Sequence, residues 1–367
     1  MSIATRRMTR RSSVFPPDAV TRTSYGVMPW GNPYSGTMTT NAAALLGEDW
    51  VGGLSAFCRW QHVTNNGTSW NFAPFDRISE AANVAKKPWM LMVILGSKDN
   101  GIPDYVINQV PSSDWIFTDG YEFPVFWSTK ANQLRRELFQ RIADRYNNDP
   151  WLVSVRMTSF WSTHGEPWFA GGSTGKSKWV SAWNATGHSG DLSAVQAAYQ
   201  QHEKDKWSEM MSMFKPNIAI AQAAGDALYD IDGSIEQTLP ARHPDRLSTW
   251  TWLREQYGSR TTLQFNGVNA GVGASGYGKW LPNSFGPYAP VPAQRQGRIG
   301  SQPVAGAGTT RLPYDNFVTM IRNLTAWQYS YCEVYYTDAW FARSGETTDA
   351  RKICDVMIEQ KDNWARV

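Results

Sequence analysis

The sequence predicts an α/β protein, a single (β/α)8 barrel with long loops at the C-terminal face of its strands. Three observations lead there. Eight short apolar runs recur along the chain, with helix-period stretches between most of them. The length of 367 residues suits one large barrel without a second core. No Gly-rich nucleotide fingerprint follows the first strand, which leaves an open doubly wound sheet as the runner-up.

The strands are read at residues 24–28, 54–60, 89–95, 152–157, 218–223, 261–265, 299–304 and 331–336. The helices are read at 75–86, 129–146, 192–214, 245–256, 314–327 and 348–363. Leu192, Val195, Ala198 and Tyr199 recur at helical spacing, as do Phe317, Met320, Ile321 and Leu324. Asn148-Asp149-Pro150 stops one helix and turns the chain into the fourth strand. The helices after the first and seventh strands are weakly marked, the first being a short stretch at 40–46, so the strand count carries a margin of one. The Gly-rich stretch 267–278 lacks a phosphate-loop Lys-Ser/Thr, and it and the Pro/Gly-dense stretch 282–308 are read as loops at the barrel top.

Residues 1–20 form a basic arm carrying Arg6, Arg7, Arg10 and Arg11, and the barrel takes 21–367. The arm is read as a solvated tail, with contact to an anionic partner or assembly into a larger particle as the alternative. Net charge is only +3, from 35 basic and 32 acidic residues, which gives nucleic acid no general attraction. No apolar run approaches the ~20 residues of a membrane span. Arginines near the start are followed by no apolar stretch, so no secretory signal is visible. A cytoplasmic protein is expected, or a virion-associated one if phage-encoded. Cys58, Cys332 and Cys354 offer neither a disulfide framework nor metal-ligand spacing. No metal or organic cofactor is expected.

The residues that could carry chemistry lie around Trp151–Trp168, a strand pattern that runs on to His164-Gly165-Glu166-Pro167 between Trp161 and Trp168. A carboxylic acid that protonates a glycosidic oxygen needs a partly apolar setting to raise its pKa. Sugar rings stack on flat aromatic faces, and the chain carries 19 Trp, 15 Tyr and 15 Phe, more than a core of this size needs. Glu166 is therefore the first candidate, as general acid and then base. The alternative is a loop carboxylate capping a helix or pairing with a surface cation. Glu333 sits in an apolar strand beside Tyr335, where an unpaired charge would cost several kcal/mol. It is read as nucleophile or partner carboxylate, or else as an interior glutamate held by Arg59 or Arg156. Asp338 is the alternative acid. A carboxyl separation of about 5 Å would mean retention of configuration, and about 6.5–9.5 Å inversion. Trp30, Trp161, Trp168 and Trp340 are candidate stacking platforms. Arg59, His164, Asn266, Gln302 and Tyr335 are candidate substrate contacts, each with a structural reading beside it.

Several short motifs, in order, resemble clan A glycoside hydrolases of the β-galactosidase type. They are Arg59-Trp60, Trp70-Asn71-Phe72, Phe75-Asp76-Arg77, Lys86-Lys87-Pro88, Pro103-Asp104-Tyr105-Val106 and Arg145-Tyr146-Asn147-Asn148-Asp149-Pro150. Gly165-Glu166 falls where that clan keeps its acid/base. The resemblance implies a barrel that cleaves an O-glycosidic bond of an oligo- or polysaccharide. It also implies a nucleophilic glutamate ending strand seven, where this chain offers Gln302. A non-catalytic carbohydrate-binding or phage/surface structural barrel therefore stays open. So does a lyase, which would need a His or Tyr base in the cleft.

Overall fold

The computed structural model describes residues 26–118, 120–160, 172–223, 252–253, 255–268, 293–295, 314–326 and 331–364. Its strands are β1 (Gly26–Gly31), β2 (Leu54–Arg59), β3 (Trp89–Ile94), β4 (Trp115–Thr118), β5 (Tyr121–Pro124), β6 (Leu152–Arg156), β7 (Ala219–Ala223), β8 (Thr261–Val268), β9 (Ala293–Arg295) and β10 (Tyr331–Tyr335). The helices are α1 (Thr37–Leu46), α2 (Trp60–Val63), α3 (Ala73–Ala85), α4 (Asp104–Gln109), α5 (Thr129–Tyr146), α6 (Gly172–Ala185), α7 (Leu192–Met213), α8 (Tyr314–Ala326), α9 (Tyr336–Ser344) and α10 (Thr348–Trp364). Parallel strands curl into a closed sheet in the order β1-β10-β9-β8-β7-β6-β3-β2, while β4 and β5 form a separate antiparallel hairpin.

Each strand follows from its residue pattern. On β2, Leu54, Ala56 and Cys58 pack into the helical layer, and Ser55, Phe57 and Arg59 take the opposite face, inside the barrel. All six residues of β3, Trp-Met-Leu-Met-Val-Ile, are buried, as a parallel strand covered on both faces requires. Beyond β3 the chain turns at Gly96, whose φ is +78°; a Cβ there would lie 2.2 Å from the Asn100 carbonyl oxygen. Helix α5 starts where Ser128 caps the Ala131 amide, and α7 where Asp191 accepts from the Ser193 and Ala194 amides.

The seventh barrel strand departs from expectation. The strand between β8 and β10 is Ala293–Arg295, within a stretch read as loop. It is three residues long and polar, which leaves no apolar period to read. The run expected there, 299–304, lies outside the described residues; it contains Pro303, which cannot donate to a ladder. The hairpin Trp115–Pro124 and helices α4, α6 and α9 were not anticipated. Residues 1–25, including the basic arm, and most of 267–308 are likewise outside the described residues. Among the described residues no helix is long and apolar enough to cross a membrane.

The motifs before the fourth barrel strand hold the outer layer together. Arg145 grips Asp76 through both guanidinium nitrogens, and the Tyr146 hydroxyl donates to the same carboxylate at 2.8 Å. Asp149 accepts from Ser79, from Trp89 Nε1 and the Trp151 amide at 2.8 Å each, and from Asn83 at 3.2 Å. One carboxylate thus ties α3, β3 and β6 together. Replacing Asp149 by Ala should lower unfolding free energy by about 2–4 kcal/mol in urea titrations, since several charge-assisted bonds go unmade at once.

Candidate active site

Alternate strands round the barrel each send one polar side chain to the same interior level. These are Ser55 on β2, Arg156 on β6, Gln264 on β8 and Glu333 on β10. Four side chains from alternate strands are how such barrels fill their interior, normally with apolar residues. Here the level is polar and closed on itself. Glu333 is fully buried. Its Oε1 accepts from Ser55 Oγ and from Arg156 at 2.6 Å each, and its Oε2 accepts from Gln264 Nε2 at 2.7 Å. Arg156 also donates to the Gln264 side-chain oxygen. Below, Met28, Met90 and Tyr331 pack together, with the Tyr331 hydroxyl against Met90 Sδ.

One level above, at the C-terminal mouth, stands an aromatic wall. Trp30 stacks on Phe57 with ring centroids 4.1 Å apart and meets the edge of Tyr335 at 5.2 Å. The indole N–H of Trp30 is shielded from solvent and has no hydrogen-bond partner among the described residues. Next along β2, Arg59 is half-buried and forms no ion pair with another described residue. The strand pairing sets this stack: Trp30 lies opposite both Tyr335 and Ser55, and Met28 opposite Glu333.

The expected site residues divide accordingly. Trp30, Tyr335 and Arg59 come together at the mouth. Glu333 lies directly beneath them, held by Arg156 as one of its alternative readings has it. Oε1 of Glu333 accepts two of these hydrogen bonds and Oε2 one. Asp338 is buried in the first turn of α9. Trp340 stacks on Tyr336 of the same helix, under Arg343, and is partly buried against the main core. Asn266, on β8, pairs in register with Gln294 on β9. Trp161, His164, Glu166, Trp168 and Gln302 lie outside the described residues. Ser55, Phe57 and Gln264 were missed by the sequence reading. The period-2 alternation through Arg59 was the available signal for Ser55 and Phe57.

The exit of the fourth barrel strand is also built with care. Met157, Thr158, Ser159 and Phe160 are all buried. The Met157 amide donates to Ala221 O at 2.7 Å, Thr158 Oγ1 donates to Val93 O, and Phe160 packs on Trp60. Ser159 Oγ accepts from Lys206 Nζ at 2.7 Å, and the same ammonium pairs with Glu203 at 2.6 Å. Gln222 links the other Glu203 oxygen to Trp207 Nε1. Burial lowers the Lys206 pKa, with Glu203 opposing. His202, largely enclosed beside Phe126 and Tyr199, is held well below its ordinary value by burial and by Lys206 and Arg135.

No protein-family model matches the chain, and no curated protein matches it in sequence. Solved structures do. The catalytic domain of a beta-amylase from Paenibacillus polymyxa aligns at TM-score 0.58 and 10% identity, covering 92% of this chain and 99% of that one. The beta-glucanase SdGluc5_26A from Saccharophagus degradans aligns at 0.52 and 12% identity, covering 92% of this chain and 88% of that one. Its complex with cellotetraose aligns at 0.51 and 11% identity, with the same coverage. The chain shares the barrel-like fold of these catalytic domains.

Two stability measurements check the site. Glu333→Gln should cost about 3–5 kcal/mol, because it leaves Arg156 charged and unpaired in the interior. Combining Glu333→Leu with Arg156→Met should recover most of that loss, which urea titrations of the single and double variants would show. His202 binds a proton in the unfolded chain below about pH 6.5 but not in the folded one. Its contribution is therefore full at neutral pH and falls as pH drops from about 6.5 towards the folded value, by up to ~1.4 kcal/mol per unit. His202→Gln should flatten thermal-melt profiles over that range.

Proposed function

We propose that this protein is an O-glycoside hydrolase acting on an oligo- or polysaccharide. The carrying observation is the aromatic mouth of Trp30, Phe57 and Tyr335 with Arg59, free of ion pairs among the described residues, in a fold shared with beta-amylase and beta-glucanase catalytic domains. The beta-glucanase neighbour binds cellotetraose, which supports a glucan-like ligand here. The complete architecture we infer is a (β/α)8 barrel with long loops at the C-terminal face.

Glu166, seven positions beyond Ser159 at the exit of the fourth barrel strand, is the general acid in this reading. It gives its proton to the leaving oxygen as the glycosidic bond breaks. As that bond breaks, a second carboxylate either attacks the anomeric carbon, the glycosyl-enzyme bond then being cleaved by water, or takes the proton from a water that attacks directly. That acid is Glu333 on β10, with Asp338 in the first turn of α9 as the alternative. Trp161, Trp168, His164, Asn266 and Gln302 complete the substrate contacts. The chemistry needs no metal or organic cofactor.

A second reading, carbohydrate binding without cleavage, draws on the hydrogen bonding of both Glu333 oxygens inside the barrel and on Gln302 at the position where the resembled clan carries its nucleophile. One experiment separates them. Glu166→Gln should reduce turnover of aryl glycosides with poor leaving groups by about 10²–10⁴-fold, with glucan affinity retained. Wild-type protein that retains glucans on affinity electrophoresis and releases no product would favour the binding module.

A further inference from the structure

We propose that the barrel mouth selects an acidic sugar chain, a glucan-like backbone carrying uronic-acid carboxylates, and that Arg59 is the group that reads the charge. The inference deepens the carbohydrate reading of this mouth and rests on it. Exposure along β2 is confined to two residues of the barrel-facing side. Phe57 and Arg59 are half-buried, and the other four residues of the strand are buried. Trp30 on β1 and Tyr335 on β10 are half-buried in the same way. Three neighbouring strands thus turn aromatic rings towards the opening, with a guanidinium one step further out on β2.

That guanidinium lacks what the other enclosed arginines have. Arg135, Arg145 and Arg156 each meet a carboxylate. Arg59 has no such partner among the described residues, and Glu333 is paired with Arg156 instead. His62, in the helix that follows β2, accepts from the Arg59 amide and is held below its ordinary pKa by burial and by the Arg59 charge. Arg59 is therefore the cation of this exit at neutral pH. Two donors beside it also lack acceptors among the described residues: the Trp30 indole N–H on the β1 side, and the hydroxyl of fully buried Ser97 on the β3 side. The Ser97 loop packs against Arg59. The Ser97 amide donates to Asn100 O, the Gln61 amide donates to Gly101 O, and a Cβ at Gly101 would lie 3.6 Å from Arg59 Cβ. Buried donors without an acceptor are few in folded proteins and mark places where a bound group belongs. An ionised carboxylate offers only acceptors, two oxygens in the geometry of the guanidinium fork. The hydroxymethyl group of a neutral glucan offers neither the charge nor the second oxygen.

The test compares dissociation constants, by calorimetry, for three probes on one backbone: cellotetraose, the same tetramer oxidised at C6 to a glucuronate chain, and the tetramer sulfated at O6. Wild-type protein should bind the glucuronate chain about tenfold or more tightly than cellotetraose, because a charge-assisted pair adds to the stacking both share. That ratio should shrink as NaCl is raised towards about 1 M. Arg59→Gln should bring the ratio to within about twofold. Arg59→Lys, which keeps the charge without the fork, should leave an intermediate ratio. Trp30→Ala should weaken both probes and preserve the ratio. Equal affinity for the two chains in the wild-type protein would overturn the acidic-chain proposal and leave the sugar reading standing. A preference that survives in Arg59→Gln would overturn the role of Arg59. Tighter binding of the sulfated tetramer than of the glucuronate would overturn the carboxylate assignment. Binding of none of the three would overturn the sugar reading of the mouth and this proposal with it.

Discussion

The pairing of Arg156 with Glu333 governs the barrel interior. Both side chains are out of water, at 7% and 0% exposure, so neither charge is tolerable without the other. They come from strands on opposite sides of the barrel, β6 and β10, and Ser55 and Gln264 close the ring from β2 and β8. A slip of one residue in β10 would swing Glu333 out among the apolar partners of Cys332 and Val334. The polar level thus fixes register around the barrel, at an energetic cost that an apolar layer would not incur.

That level also dictates where chemistry can sit. Above it the surface is aromatic and carries a cation without an acid partner among the described residues. Beneath it the interior is thioether and phenol. Glu333, the carboxylate of β10, is bonded into that level. At the exit of β6 the Met157 amide and the Thr158 and Ser159 hydroxyls are bonded on both sides and from behind.

Much of the fold was legible because it depends on local pattern. The apolar run of β3, the Ser128 and Asp191 caps and the apolar stripes of α7 and α8 are each decided within a few residues. β9 was not, since Ala293–Arg295 is defined by its neighbours' hydrogen bonds and not by its own composition. The site was legible in part. The burial of a glutamate within Tyr331–Tyr335 announced a partner, and Arg156 was one of two arginines considered for it. Gln264 and Lys206 could not be read. Each is an ordinary polar residue in sequence, and its role comes from side chains 69 and 47 positions away.

The motifs behind the family resemblance have a common physical character. Asp76, Arg145 and Tyr146 staple α3 to α5, and Asp149 ties both to the strands. Asp104 bonds Asn65 at the start of α4, and Tyr105 packs edge-on against Trp60. These are devices for packing helices round a barrel, and any barrel with this layout has use for them whatever it binds. Their agreement with one family, and the structural match at 10–12% identity, therefore concern the scaffold. What distinguishes one barrel's chemistry from another's is the set of groups at the strand exits. In this chain those are the aromatic wall over a buried polar level, Arg59 without an ion pair among the described residues, and the braced exit of β6.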